Sequence, residues 1–228
     1  MSFAITPASV PTLPIVGSED QFPIRRIYCV GRNYAAHARE MGHDPDREEP
    51  FFFQKNPDNV MPLGGDFPYP PMTENLHHEM ELVVALGGGG YNIPEDKALD
   101  CVFGYAAGLD MTRRDRQGEA KKAGRPWEVG KAFEHSAPCS AIVPASEIGH
   151  PATGKLLLEV NGEVRQDADL SQLIWNVPES IAYLSQLFEL AAGDLIYTGT
   201  PAGVAAVVKG DKLHGTIENV GEIDITVV

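Results

Sequence analysis

The segment HHEMELVV at residues 77–84 alternates in the manner of a strand, and the apolar run ELVVAL carries it into four glycines at 87–90, a strand that ends in a turn. Side chains two apart on a strand share a face, so Glu79 and Glu81 project together. Paired like charges destabilise a sheet unless something neutralises them, and a divalent cation would do so. The competing arrangement leaves both glutamates in water and turns Met80 and Leu82 to the core. Pattern alone fits either. His77 and His78, being adjacent, point to opposite faces, which argues against a paired-His metal site. VFGYAAGLDMT at 102–112 reads as a second strand with internal glycines, and its Asp110 offers a third carboxylate. Oxygen-only donors favour a hard ion, Mg2+ or Mn2+, over zinc.

Further strands flank this pair. RIYCVG at 26–31 is one, ending at Gly31; NYAAHAREMG at 33–42 is expected as a helix with Asn33 as its N-cap, and HDPDREEP at 43–50 as a polar loop. FFFQK at 51–55 is a short strand, and the Pro/Gly-rich NPDNVMPLGGDFPYPP after it is expected to be irregular. LLLEVNGEVRQ at 156–166 reads as a hairpin about Asn161-Gly162. Pro178 opens a helix with Ile181, Leu184 and Phe188 at helical spacing, stopped by Gly193, and DLIYTG at 194–199 is another strand. Two more strands fill Lys212 to Val228. Pro7, Pro11, Pro14 and Pro23 mark residues 1–23 as an arm or edge segment, leaving 24–228 as one domain. With no repeat and no linker-like break, one β-rich α+β domain is the economical reading.

Charge narrows the partners. The 228 residues carry 18 Lys plus Arg against 32 Asp plus Glu, a net charge of −14, and no basic run exceeds a pair such as Arg25-Arg26 or Lys121-Lys122. A nucleic-acid backbone rewards clustered cations, so that class of partner is excluded, and an anionic substrate has to be held locally. The apolar runs fall far short of the roughly 20 residues that span a bilayer. The first cationic residue is Arg25, so the start lacks a signal peptide's basic region and a cytoplasmic protein is expected. Cys29, Cys101 and Cys139, odd in number and widely spaced, read as buried thiols rather than as a disulfide framework or a zinc site.

Taken in order, GRNYAAHAREM, HHEMELVV, GYAAGLDMTRRDRQ, WEVGKAF and GDLIYTGTPAGV resemble the fumarylacetoacetate hydrolase family, in particular its short single-domain bacterial members that act on acylpyruvates. The similarity runs from about Arg26 to the C-terminus. It implies a mixed, rolled β-sheet core with short flanking helices, usually in a homodimer, and Mg2+ or Mn2+ held by Glu79, Glu81 and Asp110. Read as residues alone, His37 and Glu40 lie three apart on a helix and fit either a hydrogen-bonded acid–base pair or a solvated surface pair. The resemblance implies the former, a dyad that activates water on a lid over the substrate. It likewise implies that Lys131 lies near the metal, and that Gln117 and Thr200 contact substrate or position water. Arg32, Arg113 and Arg114 are candidates for binding substrate carboxylates, and each could equally be structural. One departure is Ala205, where the family commonly has Gly; a positive φ there would strain the loop.

These readings imply a metal-dependent hydrolase cleaving the C–C bond of an acylpyruvate. FFFQKNPDN, GRPWEVGKAFEHSAP and IWNVPESIAYLS most resemble the family members that hydrolyse fumarylpyruvate in bacterial gentisate breakdown. The runner-up uses the same metal and enolate chemistry to decarboxylate oxaloacetate, or to decarboxylate and isomerise the dicarboxylates of homoprotocatechuate breakdown. Retention of His37 and Glu40 favours hydrolysis, since decarboxylation needs no activated water. A non-enzymatic metal-binding protein would need the carboxylates without the dyad or Lys131, and all are present.

Overall fold

The computed structural model describes residues 2–35 and 48–228. Every residue of the strand Met80–Leu86 is buried. Leu82, Val84 and Leu86 face one side and Val83 and Ala85 the other, and a strand apolar on both faces has to lie between two layers. Its neighbours are Val102–Leu109 and Asp194–Tyr197, both antiparallel. Asp194–Tyr197 runs parallel to Arg26–Gly31, which pairs antiparallel with Phe51–Lys55. On the other side Val102–Leu109 meets Ala137–Cys139, which runs parallel to Val60–Pro62. With Val143–Pro144 these strands make a mixed sheet of eight among the described residues.

A five-stranded sheet packs on one face, in the order Glu163–Asp169, Lys155–Val160, Lys212–Ile217, Gly221–Val227, Gly65–Phe67. Leu156, Leu158, Leu213 and Ile225 share a core with Leu82, Val84 and Leu86. The opposite face is closed in part by Thr12–Pro14 and Gln21–Pro23, a small antiparallel pair whose Leu13 and Phe22 are buried with Ile27, Val83 and Leu195. The stretch expected as an arm thus contributes side chains to the second core. The architecture is α+β, with a mixed rolled sheet and short helices.

The strand expected over 77–84 is interrupted. Leu76–His77 joins a small sheet with Thr112–Arg113 and Ala206–Val207, and the main strand starts at Met80. NPDNVMPLGGDFPYPP is not wholly irregular: Pro57–Asn59 is a 3-10 turn, and Val60–Pro62 and Gly65–Phe67 are strands at sheet edges, where a missing proline donor costs little. The hairpin is as expected, with Asn161 at φ 54° and Gly162 at φ 79°, the left-handed pair of a type I′ turn. The helix Val177–Leu187 starts from Asn176, which accepts from Glu179 N while Glu179 reaches back to Asn176 N. It ends at Leu187 rather than near Gly193, because Phe188 turns extended and Leu190 bridges to Gly90. The helix expected over 33–42 lies mostly outside the described residues. Of Asn33 itself, Oδ1 accepts from Trp175 N, and Nδ2 donates to the carbonyls of Trp175 and Thr198. All three cysteines are free, Cys29 and Cys139 buried and Cys101 partly so. No helix among the described residues is long and apolar enough to cross a membrane.

Candidate metal centre and active site

The β register assembles the acidic group. Met80 lies opposite Leu109 and Glu81 opposite Gly108, and the ladder continues one step, with Asp110 N donating to Glu79 O at 2.8 Å. Glu79 and Asp110 therefore face each other across the pair, with Glu81 two residues along. One oxygen from each lies within 4.8 Å of the others, and all three residues are buried. The alternative with solvated glutamates is not what forms.

Two lysines sit among these carboxylates. Lys131 Nζ is 2.7 Å from Glu79 Oε2, 2.6 Å from Asp110 Oδ2 and 2.7 Å from Thr112 Oγ1. Burial works against its charge, but Asp110 and Glu79 outweigh burial and hold it above the usual lysine range. Lys55 Nζ lies 2.8 Å from Asp110 Oδ1 and donates to the backbone carbonyls of Met111 and Lys131. Arg114 pairs with Glu79 and donates to Gln117 Oε1 at 2.7 Å. Glu81 forms no ion pair among the described residues; Gly199 N donates to its Oε2 at 2.8 Å. Burial first, then the charges of Asp110 and Glu79, push its carboxyl well above the ordinary range. Three buried carboxylates, all oxygen donors and one lacking a cation, fit a hard divalent ion.

The sequence reading missed Lys55 and Thr112. Lys55 did carry a signal: it follows Phe51 and Phe53 at the two-residue period of a strand face, and both phenylalanines line the cavity over the carboxylates. Arg32, Arg114, Gln117, Lys121, Trp127, Lys131 and Thr200 complete most of its wall. Arg113 is elsewhere, stacked 4.4 Å from the Phe133 ring centre and bonded to Val129 O. Thr200 donates to Met80 O and accepts from Gln166 Nε2, both at 2.8 Å, so toward a ligand its hydroxyl can only accept. Gln166 Oε1 in turn accepts from Met80 N at 3.0 Å and from His78 Nδ1 at 3.2 Å. Burial lowers both His77 and His78 to a pKa of about 4, and neither joins the acidic group. Ala205 is not strained: the positive φ in this loop falls at Gly199 and Gly203. His37 and Glu40 lie outside the described residues. Arg32 lines the cavity, and where the described chain resumes, the Glu48 carbonyl accepts from Trp175 Nε1 at 3.2 Å.

A fumarylacetoacetate hydrolase C-terminal family model matches residues 26–228. A fumarylpyruvate hydrolase from Ralstonia sp is 49% identical over 189 residues, 82% of this chain and 98% of that one. The mitochondrial oxaloacetate tautomerase FAHD1 of Rattus norvegicus is 46% identical over 196 residues, 86% of this chain and 88% of that one. Among solved structures, a fumarylpyruvate hydrolase from Pseudomonas aeruginosa in complex with Mn2+ and pyruvate superposes with a TM-score of 0.98 at 52% identity, covering 100% of this chain and 99% of that one. A match over nearly the whole chain, on a fold whose register gathers the carboxylates that the motifs single out, establishes that the protein belongs to the fumarylacetoacetate hydrolase family.

Proposed function

We propose that this chain is a Mg2+- or Mn2+-dependent hydrolase that cleaves the C–C bond of an acylpyruvate, fumarylpyruvate giving fumarate and pyruvate. One observation carries the reading: buried Glu79, Glu81 and Asp110 converge, with the Lys131 ammonium wedged against two of them. Held by these three side chains, a hard ion supplies Lewis-acid polarisation of the 2-oxo acid end of the substrate. The remaining work falls to the protein. Arg114 and Gln117 present N–H groups to the substrate carboxylate. His37, oriented by Glu40, takes a proton from water as its oxygen adds to the acyl carbonyl carbon. The bond between that carbon and the pyruvate methylene then breaks, its electron pair passing to the pyruvate fragment as an enolate, which Lys131 stabilises until a proton is returned to carbon. The same reading makes the protein a cytoplasmic homodimer, in keeping with the free Cys29 and Cys139 thiols.

The purified enzyme, assayed with Mg2+ or Mn2+ against fumarylpyruvate, acetylpyruvate and oxaloacetate, is expected to release fumarate and pyruvate in equal amounts from fumarylpyruvate. Turnover of oxaloacetate alone would overturn the hydrolase reading. A second reading, oxaloacetate chemistry at the same centre, is favoured by the rat relative's described activity. His37→Ala separates the two. It should lower acylpyruvate hydrolysis by roughly 10²–10⁴-fold while any oxaloacetate reaction falls much less. Parallel loss of both at intact metal occupancy would remove His37 from water activation.

A further inference from the structure

The cavity holds more positive charge than the carboxylate centre uses. Lys131 and Arg114 on its wall, and Lys55 behind it, are committed to Asp110 and Glu79, but Arg32 and Lys121, which line the wall too, are not. Each is seated on an aromatic ring. The Arg32 guanidinium lies 4.7 Å from the centre of the Phe51 ring, and Lys121 Nζ lies 5.0 Å from that of Trp127. The rings meet edge to face at 5.3 Å, so two cations are carried on one aromatic wall. A ring face holds a cation in place without cancelling its charge. Among the described residues, Arg32 reaches only the exposed Glu48 carboxylate, at 3.7 Å, its buried Nε has no partner, and Lys121 makes no ion pair. Arg32 also holds a left-handed φ of 54°, a conformation that costs a non-glycine residue energy and recurs at ligand sites. The two cations repel, and burial together with Arg114 and Arg32 lowers the lysine's affinity for its proton. In a chain of net charge −14 such a pair marks a place for an anion.

We infer that Arg32 and Lys121 form a second anion subsite that takes the carboxylate at the acyl end of the substrate, so that the cavity selects acylpyruvates charged at both ends. This rests on the hydrolase reading above. The 2-oxo acid end belongs to the carboxylate centre, Arg114 and Gln117; the aromatic wall receives the other end, with its rings against the unsaturated carbons between.

The test compares fumarylpyruvate with acetylpyruvate, which has the same scissile bond but no distal carboxylate. Lys121→Met and Arg32→Met should each lower the ratio of kcat/KM for the two substrates by roughly 10- to 100-fold, the effect of losing one charge-assisted hydrogen bond. The loss should fall mainly in KM, and Lys121→Arg should retain most of the preference. If the ratio stays within two-fold in both methionine variants while wild type hydrolyses fumarylpyruvate, the subsite is refuted and the hydrolase reading stands. If wild type cleaves neither substrate, the hydrolase reading fails, and binding decides the subsite alone. The intrinsic fluorescence of the Mg2+-loaded protein, to which Trp127 contributes beside Trp175, is then titrated with fumarate and with crotonate, which carries a methyl in place of one carboxylate. Tighter fumarate binding that is lost in Lys121→Met supports the subsite; equal affinities overturn it.

Discussion

Lys131 and Lys55 have similar surroundings but different expected roles. Lys131 lies on the cavity wall against two of the carboxylates, whereas Lys55 bonds to Asp110 and two backbone carbonyls and has no part in the wall. Lys131→Met should therefore lower hydrolysis by roughly 10²–10³-fold, the cost of removing one oxyanion-stabilising donor, while Mn2+ still binds. Loss of Mn2+ binding in that variant would show the lysine to be structural. Lys55→Met leaves a buried Asp110 oxygen without its cation, so in chelator it should cost about 3–5 kcal/mol of stability by urea unfolding. An unchanged midpoint would contradict that assignment. At this scale the carboxylates were legible because strand alternation put two of them on one face. Lys55 was not, because a lysine at the end of an apolar strand reads equally well as reaching for solvent.

Element boundaries were legible where the cause is local. RIYCVG and FFFQK are strands over the residues expected, and Asn161-Gly162 makes its turn from its own backbone preferences. Long-range causes were hidden. The break before Met80 is fixed by Gln166, eighty-six residues away, which binds His78, Met80 N and Thr200 at once. The edge strands of the Pro/Gly-rich stretch exist only because distant strands pair with them. The Thr198 to Ala205 loop shows the same limit, since its left-handed residue nearest Ala205 is Gly203, whose missing Cβ would stand 1.9 Å from Arg165 O. Gly203→Ala should cost roughly 2–5 kcal/mol by urea unfolding, from left-handed strain plus a backbone clash. Ala205→Gly should cost less than about 1 kcal/mol. Equal effects at the two positions would mean that the loop is read wrongly.

Over the whole molecule, the fold places a charged centre against a sheet whose two faces are both covered by apolar residues. Burial raises the proton affinity of Glu81 and opposes the charge of Lys131, which Asp110 and Glu79 maintain. Family resemblance and strand pattern together made this centre legible, while the aromatic wall that carries Arg32 and Lys121 came from the packing of Phe51 on Trp127, seventy-six residues apart. The most direct test counts Mn2+ per chain by calorimetry in wild type and Glu81→Gln, with fumarylpyruvate turnover followed in the same samples. Wild type should bind one ion, lose turnover in chelator and regain it as the ion is restored, while Glu81→Gln binds more weakly and turns over in proportion to its occupancy. Undiminished turnover in chelator, or Mn2+ binding unaffected by Glu81→Gln, would contradict a reaction centred on Glu79, Glu81 and Asp110.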